Sequence, residues 1–292
     1  MKVELKQGIC RASSALIAAA LIAGCAGFGS ERGAERQGGV QRLYAFNCGE
    51  ARVKDVSRWS PGVNVGQQMD FSDNCYLIRH AKGLMLWDAG YSDAVAAMPN
   101  GLDTPLSVAR LPRTLASQLA EIGVAPAQIT HLAFSHTHSD HVGNANLFTS
   151  ATLYIQQPEY DAAFGPNAAK FNFVAANYAK LRASPVVKLN GDHDVFGDGS
   201  VTIISTPGHT PGHQSLLVRL AKTGPVLLSG DVVHFQENWA NRRVPAFNFS
   251  KDESLKSMQK VAALLASTGA QLWINHDKAQ SERIPRSPAY VE

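Results

Sequence analysis

Phe134-Ser-His-Thr-His-Ser-Asp-His141 is the stretch that decides the fold. It places His136, His138, Asp140 and His141 within six residues. Imidazole and carboxylate are the ligand types that suit zinc and similar first-row metals. Four of them in one short turn make a poor hydrophobic core and a good metal site. The run before them, residues 129–134, reads as a buried strand. The candidate ligands therefore sit on a loop at a strand's end, where sites on layered α/β scaffolds usually lie.

Three later segments have the same form, an apolar strand followed by a metal-capable residue. Residues 201–204 lead to Ser-Thr-Pro-Gly-His209, residues 225–228 to Ser-Gly-Asp231, and residues 271–274 to Asn-His276. Gly208 and Gly230 let the backbone turn sharply beside a ligand. Together these make five histidines and two aspartates, enough for two metals.

The pattern resembles the metallo-β-lactamase superfamily of hydrolases over roughly residues 41–280, and the HxHxDH run is that family's signature. The resemblance implies that His136, His138 and His209 hold a first metal. Asp140, His141 and His276 would hold a second, with Asp231 bridging the two. Asp88, in Leu86-Trp-Asp-Ala-Gly90, matches the family's early Asp-x-Gly element and would orient a ligand without being one. Asp231 sets the chain apart from the β-lactamases that carry HxHxDH, which lack a bridging aspartate. Gly230-Asp-Val-Val-His234, Glu237-Asn238, residues 244–247 and Asn275-His-Asp277 resemble the N-acyl homoserine lactonase branch. One position departs: many of these lactonases have tyrosine three residues after the bridging aspartate, and here it is His234. Esters and phosphotriesters therefore stay open beside lactones, with a β-lactamase-like hydrolase of the same fold as a further alternative that Asp231 disfavours.

The implied chemistry uses two cations that share a water and lower its pKa toward about 7, from near 16 in bulk. Zinc is the first expectation, and manganese, iron and cobalt accept the same ligands. Asp140 is expected to orient the hydroxide and shuttle its proton, and His234 to hydrogen-bond the substrate carbonyl or oxyanion. No Gly-x-Ser-x-Gly elbow is present. His213 repeats the local pattern of His209, and only one of the two is expected to bind metal. The strand-end position favours His209, with His213 bracing the loop. His131 reads as a structural strand residue, and His80 and His193 as surface or loop residues.

Lys2, Lys6 and Arg11 flank an apolar, Ala-rich run over residues 12–23 that is too short to span a bilayer and fits a signal-peptide core. It ends in Leu21-Ile-Ala-Gly-Cys25, which resembles a bacterial lipobox with Cys25 as the lipidated residue. Ala26, where an aspartate would have suggested inner-membrane retention, leads to an expected anchor on the periplasmic side of the outer membrane. An ordinary secretory signal, giving a soluble periplasmic protein, is the alternative. Residues 26–40 read as a flexible tether and 41–292 as the hydrolase domain. Cys48 and Cys75 would remain, either bonded or as two buried thiols.

The apolar fraction of 45% and charged fraction of 17% are those of a globular protein. A formal charge of +3 gives no case for nucleic-acid binding. A monomer and a homodimer are both open. Strand-like runs fall at residues 43–47, 75–79, 84–87, 132–135, 152–156, 186–189, 201–205, 215–220, 226–229 and 272–275. Helical patterns fall at 113–122, 167–181 and 253–267. Mixed in this order they support an α/β architecture, a four-layer αβ/βα sandwich. Aromatic residues in three segments, 59–71, 164–178 and 239–249, are candidates to line a substrate pocket. A non-catalytic metal-binding lipoprotein is the competing class, and the complete ligand set argues against it.

Overall fold

Apolar runs such as residues 84–87 and 226–228 give strands buried on both faces, and this chain builds two sheets around them. The structure, a computed structural model, describes residues 39–292. The expected signal segment, Cys25 and the tether up to residue 38 lie outside the described residues. The first sheet has the order β4 (Leu102–Asp103), β5 (Ser107–Arg110), β1 (Val40–Val53), β2 (Met69–His80), β3 (Gly83–Trp87), β6 (His131–Ala133), β7 (Thr152–Gln156), β8 (Val186–Leu189). The second has the order β13 (Gln271–Trp273), β12 (Gly224–Leu228), β11 (Gln214–Leu220), β10 (Val201–Ser205), β9 (His193–Asp194).

Side chains alternate between the faces of a strand, and the clusters follow that period. Tyr76, Ile78, Met85 and Trp87 of the first sheet pack with Leu216, Val218, Val226 and Leu228 of the second. The alternate residues Cys75, Leu77 and Leu86 pack with Leu115 and Leu119 of α1 (Leu115–Glu121). On the far side, Leu217 and Leu227 meet Met258 and Val261 of α5 (Lys251–Thr268). The layers are therefore helix, sheet, sheet, helix, as expected. Ser250 caps α5 by accepting from Glu253 N, Asp252 and Glu253 occupy its first turn, and Gly269 closes it in the left-handed region. The shorter helices are α2 (Ser139–Val142), α3 (Gln157–Phe164), α4 (Gln236–Asn241) and α6 (Lys278–Ser281). Among the described residues no helix is long and apolar enough to cross a membrane.

Strand direction gathers the site. β3 runs parallel to β6, β12 runs parallel to β13, and β10 and β12 are both antiparallel to β11. The segments that follow β3, β6, β10, β12 and β13 carry Asp88, the HxHxDH run, His209, Asp231 and His276.

Three expectations need correction. Residues 167–181 are not one helix but three short 3-10 turns, Ala168–Phe171, Ala175–Asn177 and Ala179–Ala183. Asn172 stands at φ +58°, which ends the first turn; Phe173 and Tyr178, which lie between the turns, and Leu181 in the third all reach the core. The strand expected over 132–135 stops at Ala133, because the Ser135 amide is drawn to Asp88. His80 is not a surface residue: it is buried, stacked 3.9 Å from Phe196, with Nε2 2.8 Å from Asp198 Oδ2. Of the two alternatives for the cysteines, the disulfide holds: Cys48 and Cys75 join β1 to β2 with a Cα–Cα distance of 5.7 Å.

Candidate metal centre

All seven expected ligands converge, and Asp231 lies at their centre. Its Oδ2 is 3.4 Å from His209 Nε2 and 3.9 Å from His136 Nε2. Its Oδ1 is 3.0 Å from His276 Nε2 and 3.4 Å from His141 Nε2. One carboxylate thus faces two imidazole sets with its two oxygens. His138 Nδ1 completes the first set, 2.8 Å from His136 Nε2 and 3.0 Å from His209 Nε2. Asp140 Oδ2 borders the second, 3.9 Å from His141 Nε2 and 4.0 Å from His276 Nε2. Metal–nitrogen bonds of about 2.1 Å in a tetrahedron place ligand atoms about 3.4 Å apart, and the observed separations bracket that figure. His141 Nε2 and Asp231 Oδ1 are buried with no hydrogen-bond partner, a condition that cations between the ligands would relieve. The donor set fits two divalent ions.

The outer nitrogen of each ring decides which nitrogen points inward. His209 Nδ1 donates to Asn248 Oδ1 at 2.9 Å, and His276 Nδ1 to the Ser72 carbonyl at 2.8 Å. His141 Nδ1 donates to Asp88 Oδ2 at 3.1 Å, and His138 Nε2 to the Phe171 carbonyl at 3.1 Å. His136 Nδ1 lies 3.1 Å from Ser135 Oγ. With the outer nitrogen so engaged, the other nitrogen of each ring is the one turned toward Asp231 and the remaining candidate ligands.

Burial holds the imidazoles of His136 and His209 well below the usual range and lowers His138. At His141 and His276 burial acts the same way, but the charges of Asp231 and its neighbours outweigh it and raise both, His276 to about 9. Burial also opposes the Asp231 charge, and the rings of His276, His234 and His141 overcome it, so its carboxyl stays ionised. The first set is therefore neutral and ready for a cation, while binding at the second releases protons.

Residues 70–268 match the family model of the metallo-beta-lactamase superfamily. The chain belongs to that superfamily. It is 32% identical over 264 residues to an N-acyl homoserine lactonase, AttM, of Azorhizobium caulinodans, which covers 86% of this chain and 98% of that protein. It is 29% identical over 263 residues to an N-acyl homoserine lactonase of a Bacillus species, covering 86% and 99%. A solved N-acyl homoserine lactone hydrolase with the product N-hexanoyl-L-homoserine at its catalytic metal centre superposes with a TM-score of 0.76 at 25% identity. That match covers 87% of this chain and all of the other, 100%.

Within this metallo-beta-lactamase fold, Asp88 and His213 both lie against residues of the candidate centre. Asp88, at φ +58°, accepts from Ser135 N at 2.6 Å with one oxygen and holds His141 with the other. His213 stands outside the ligand groups: its Nδ1 donates to the Thr206 carbonyl at 3.0 Å, and its Nε2 accepts from Asp231 N at 2.8 Å. Burial pushes its pKa down to about 3, so it braces Asp231 as a neutral ring. Gly230 makes this possible, because a Cβ there would lie 2.4 Å from Ser135 Cβ.

His234 is turned toward the centre, with Nε2 3.1 Å from Asp231 Oδ2 and Nδ1 buried without a partner. Around it, Phe71 stacks on His276 at 5.6 Å, and Phe247 lies 6.0 Å from His209 and 6.4 Å from His234. Trp59 packs edge-on against both Phe71 and Phe247. A cleft of about 420 Å³ beside His276 is lined by Met69, Phe235 and Lys278, among others. Of the expected pocket aromatics, Phe173 and Tyr178 are core residues. The sequence alone assigns no role to Asn248, Ser72 or Glu159, although Asn248 falls inside the aromatic segment 239–249 and Glu159 inside Gln156-Gln-Pro-Glu-Tyr160, a stretch that resembles the lactonase branch.

Proposed function

We propose that the chain is a dinuclear metal-dependent hydrolase that opens N-acyl homoserine lactones and so quenches quorum signals. The observation that carries this reading is Asp231, whose two oxygens face two separate histidine sets. The lactonase relatives and the product-bound hydrolase support the substrate class. His136, His138, His209 and Asp231 Oδ2 would hold one ion; Asp140, His141, His276 and Asp231 Oδ1 would hold the other, with zinc the proposed metal.

When bound, such a pair supplies an acidified water and polarises the substrate carbonyl. Asp140, whose side chain keeps 26% exposure, takes the proton that the attacking water loses. It then returns that proton to the ring oxygen that leaves. Water adds across the ester bond, giving a carboxylic acid and a free hydroxyl. His234 Nε2, shared with Asp231, is the donor that meets the carbonyl oxygen. Trp59, Phe71 and Phe247 form an aromatic wall beside the centre against which an apolar part of the substrate would rest.

The reading includes export, with Cys25 lipidated and the domain tethered on the periplasmic face of the outer membrane. The Cys48–Cys75 bond is in keeping with an oxidising compartment. Incorporation of a labelled fatty acid into the wild type but not into Cys25→Ser tests this part. A soluble, unlabelled product would leave an ordinary secretory signal.

The test of activity is kcat/KM of the zinc-loaded mature chain on acyl homoserine lactones, an aryl ester, a phosphotriester and a β-lactam. Lactone turnover of about 10⁴ M⁻¹s⁻¹ or more supports the proposal. Stronger turnover of the ester or phosphotriester would replace the substrate and keep the metal chemistry.

A further inference from the structure

We propose that Glu159 is a positioning residue of the metal centre, a buried carboxylate that clamps together the two loops carrying His136, His138 and His209. Glu159 lies in the first turn of α3 and is 1% exposed. Its Oε1 accepts from Thr137 N at 2.8 Å, and its Oε2 accepts from Gly212 N at 2.9 Å. Thr137 stands between His136 and His138, and Gly212 follows His209 by three residues in the loop that ends in His213. Both loops of the first ligand set are thus held by one carboxylate.

The approach of the second loop is built for this contact. A Cβ on Gly212 would lie 2.4 Å from the Glu159 backbone nitrogen, so only glycine lets the loop come so near. Among the described residues no Lys, Arg or His forms an ion pair with Glu159, so its charge is directed at the amides of the ligand loops. A buried carboxylate without a cation persists where donors satisfy its oxygens, and here the two backbone donors belong to the two loops. Gln156, the residue before α3, ties its base to the second sheet through Gln214 and to Gly191. The base of the clamp is therefore tied to the scaffold as well as to the two loops.

This inference rests on the metal-centre reading of the proposed function, and cobalt binding separates the two. Cobalt(II) alone, titrated into the metal-free full chain against a competing chelator, is followed by visible absorption. Reference spectra come from His209→Ala and His276→Ala. The wild type is expected to take up two ions; uptake of fewer than two defeats the metal-centre reading itself. In Glu159→Gln one of the two amides meets an N–H instead of an oxygen. The site of His136, His138 and His209 is expected to weaken by about 10- to 100-fold. The site of Asp140, His141 and His276 is expected to keep its affinity.

Glu159→Asp retains the charge but withdraws it by one methylene, and is expected to show the same one-sided loss. It supplies the comparison if the glutamine variant does not fold. Two bound ions with unchanged affinity at both sites in both variants would overturn the inference. Equal weakening of both sites with a lower melting temperature of the metal-free protein would overturn it too, since that is the mark of a packing residue.

Discussion

Replacing Asp88 by asparagine removes one charge and almost no volume, and its effect falls on a single proposed metal ligand, His141. Asparagine tolerates the left-handed backbone at φ +58°, so the turn survives. Its carbonyl oxygen can still accept from Ser135 N, now at 2.6 Å. The other oxygen becomes an NH2 group, which cannot accept from His141 Nδ1 at 3.1 Å. When His141 gives up a proton to bind a cation, the one that remains then stays on Nε2, the atom that lies 3.4 Å from Asp231 Oδ1. The lone pair needed for the second metal is lost from the atom that must supply it.

Partners of this kind are worth about 10- to 100-fold in metal affinity. That range corresponds to about 1.4–2.7 kcal/mol, within reach of a lost hydrogen bond to a charged group. The metal-free fold should hardly notice, because burial already disfavours the Asp88 charge, and its melting temperature should stay within about 4 °C of wild type. Cobalt titration should show one site weakened and the site of His136, His138 and His209 unchanged. Activity should fall at limiting metal and recover in part with excess. An Asp88→Asn protein with wild-type affinity at both sites would refute the assignment of His141's tautomer to Asp88.

Position 234 offers a sharper test of substrate contact. His234→Phe should lose about 10²- to 10³-fold in lactone kcat/KM while His234→Tyr keeps most of it, and equal rates in both variants would remove His234 from the reaction. Gly230→Ala places a Cβ 2.4 Å from Ser135 Cβ at φ +52°. Left-handed strain and overpacking together should cost about 2–5 kcal/mol in urea unfolding. A loss under about 1 kcal/mol would mean, on the same scale of effects, that the turn relaxes freely. Cys48 and Cys75 close a loop with a sequence separation of 27 residues. Removing the bond through Cys48→Ala and Cys75→Ala should lower stability by about 3.5 kcal/mol on the chain-entropy scale, read from the same denaturation curves. An unchanged midpoint would show that the reduced chain is already constrained.

The candidate ligands that converge in the structure were legible in the sequence because each lies in the segment that follows a strand, a local signal that needs no folding to be seen. The strand runs at 152–156, 186–189 and 201–205 match the structure for the same reason, since short stretches rich in β-branched and aromatic residues mark a strand locally. The short helices α2 and α4 escaped because one or two turns carry too little periodicity. The segment at 167–181 misled because its aromatics share a core without sharing a helix face.

By itself the sequence determined the donor types, their order and the layered α/β scaffold, because residue chemistry and hydrophobic period are properties of short stretches. Only the tertiary structure decided which nitrogen of each histidine faces inward, since the deciding acceptors arrive from afar. Asn248 lies 39 residues from His209, Phe171 33 from His138, and Ser72 204 from His276. Two of those three contacts use a backbone carbonyl, a group that every residue carries and that no motif can mark. The same holds for the Cys48–Cys75 bond, which needs a Cα separation of 5.7 Å that cysteine count cannot supply. It holds as well for Glu159, an ordinary acidic residue until two ligand loops close on it.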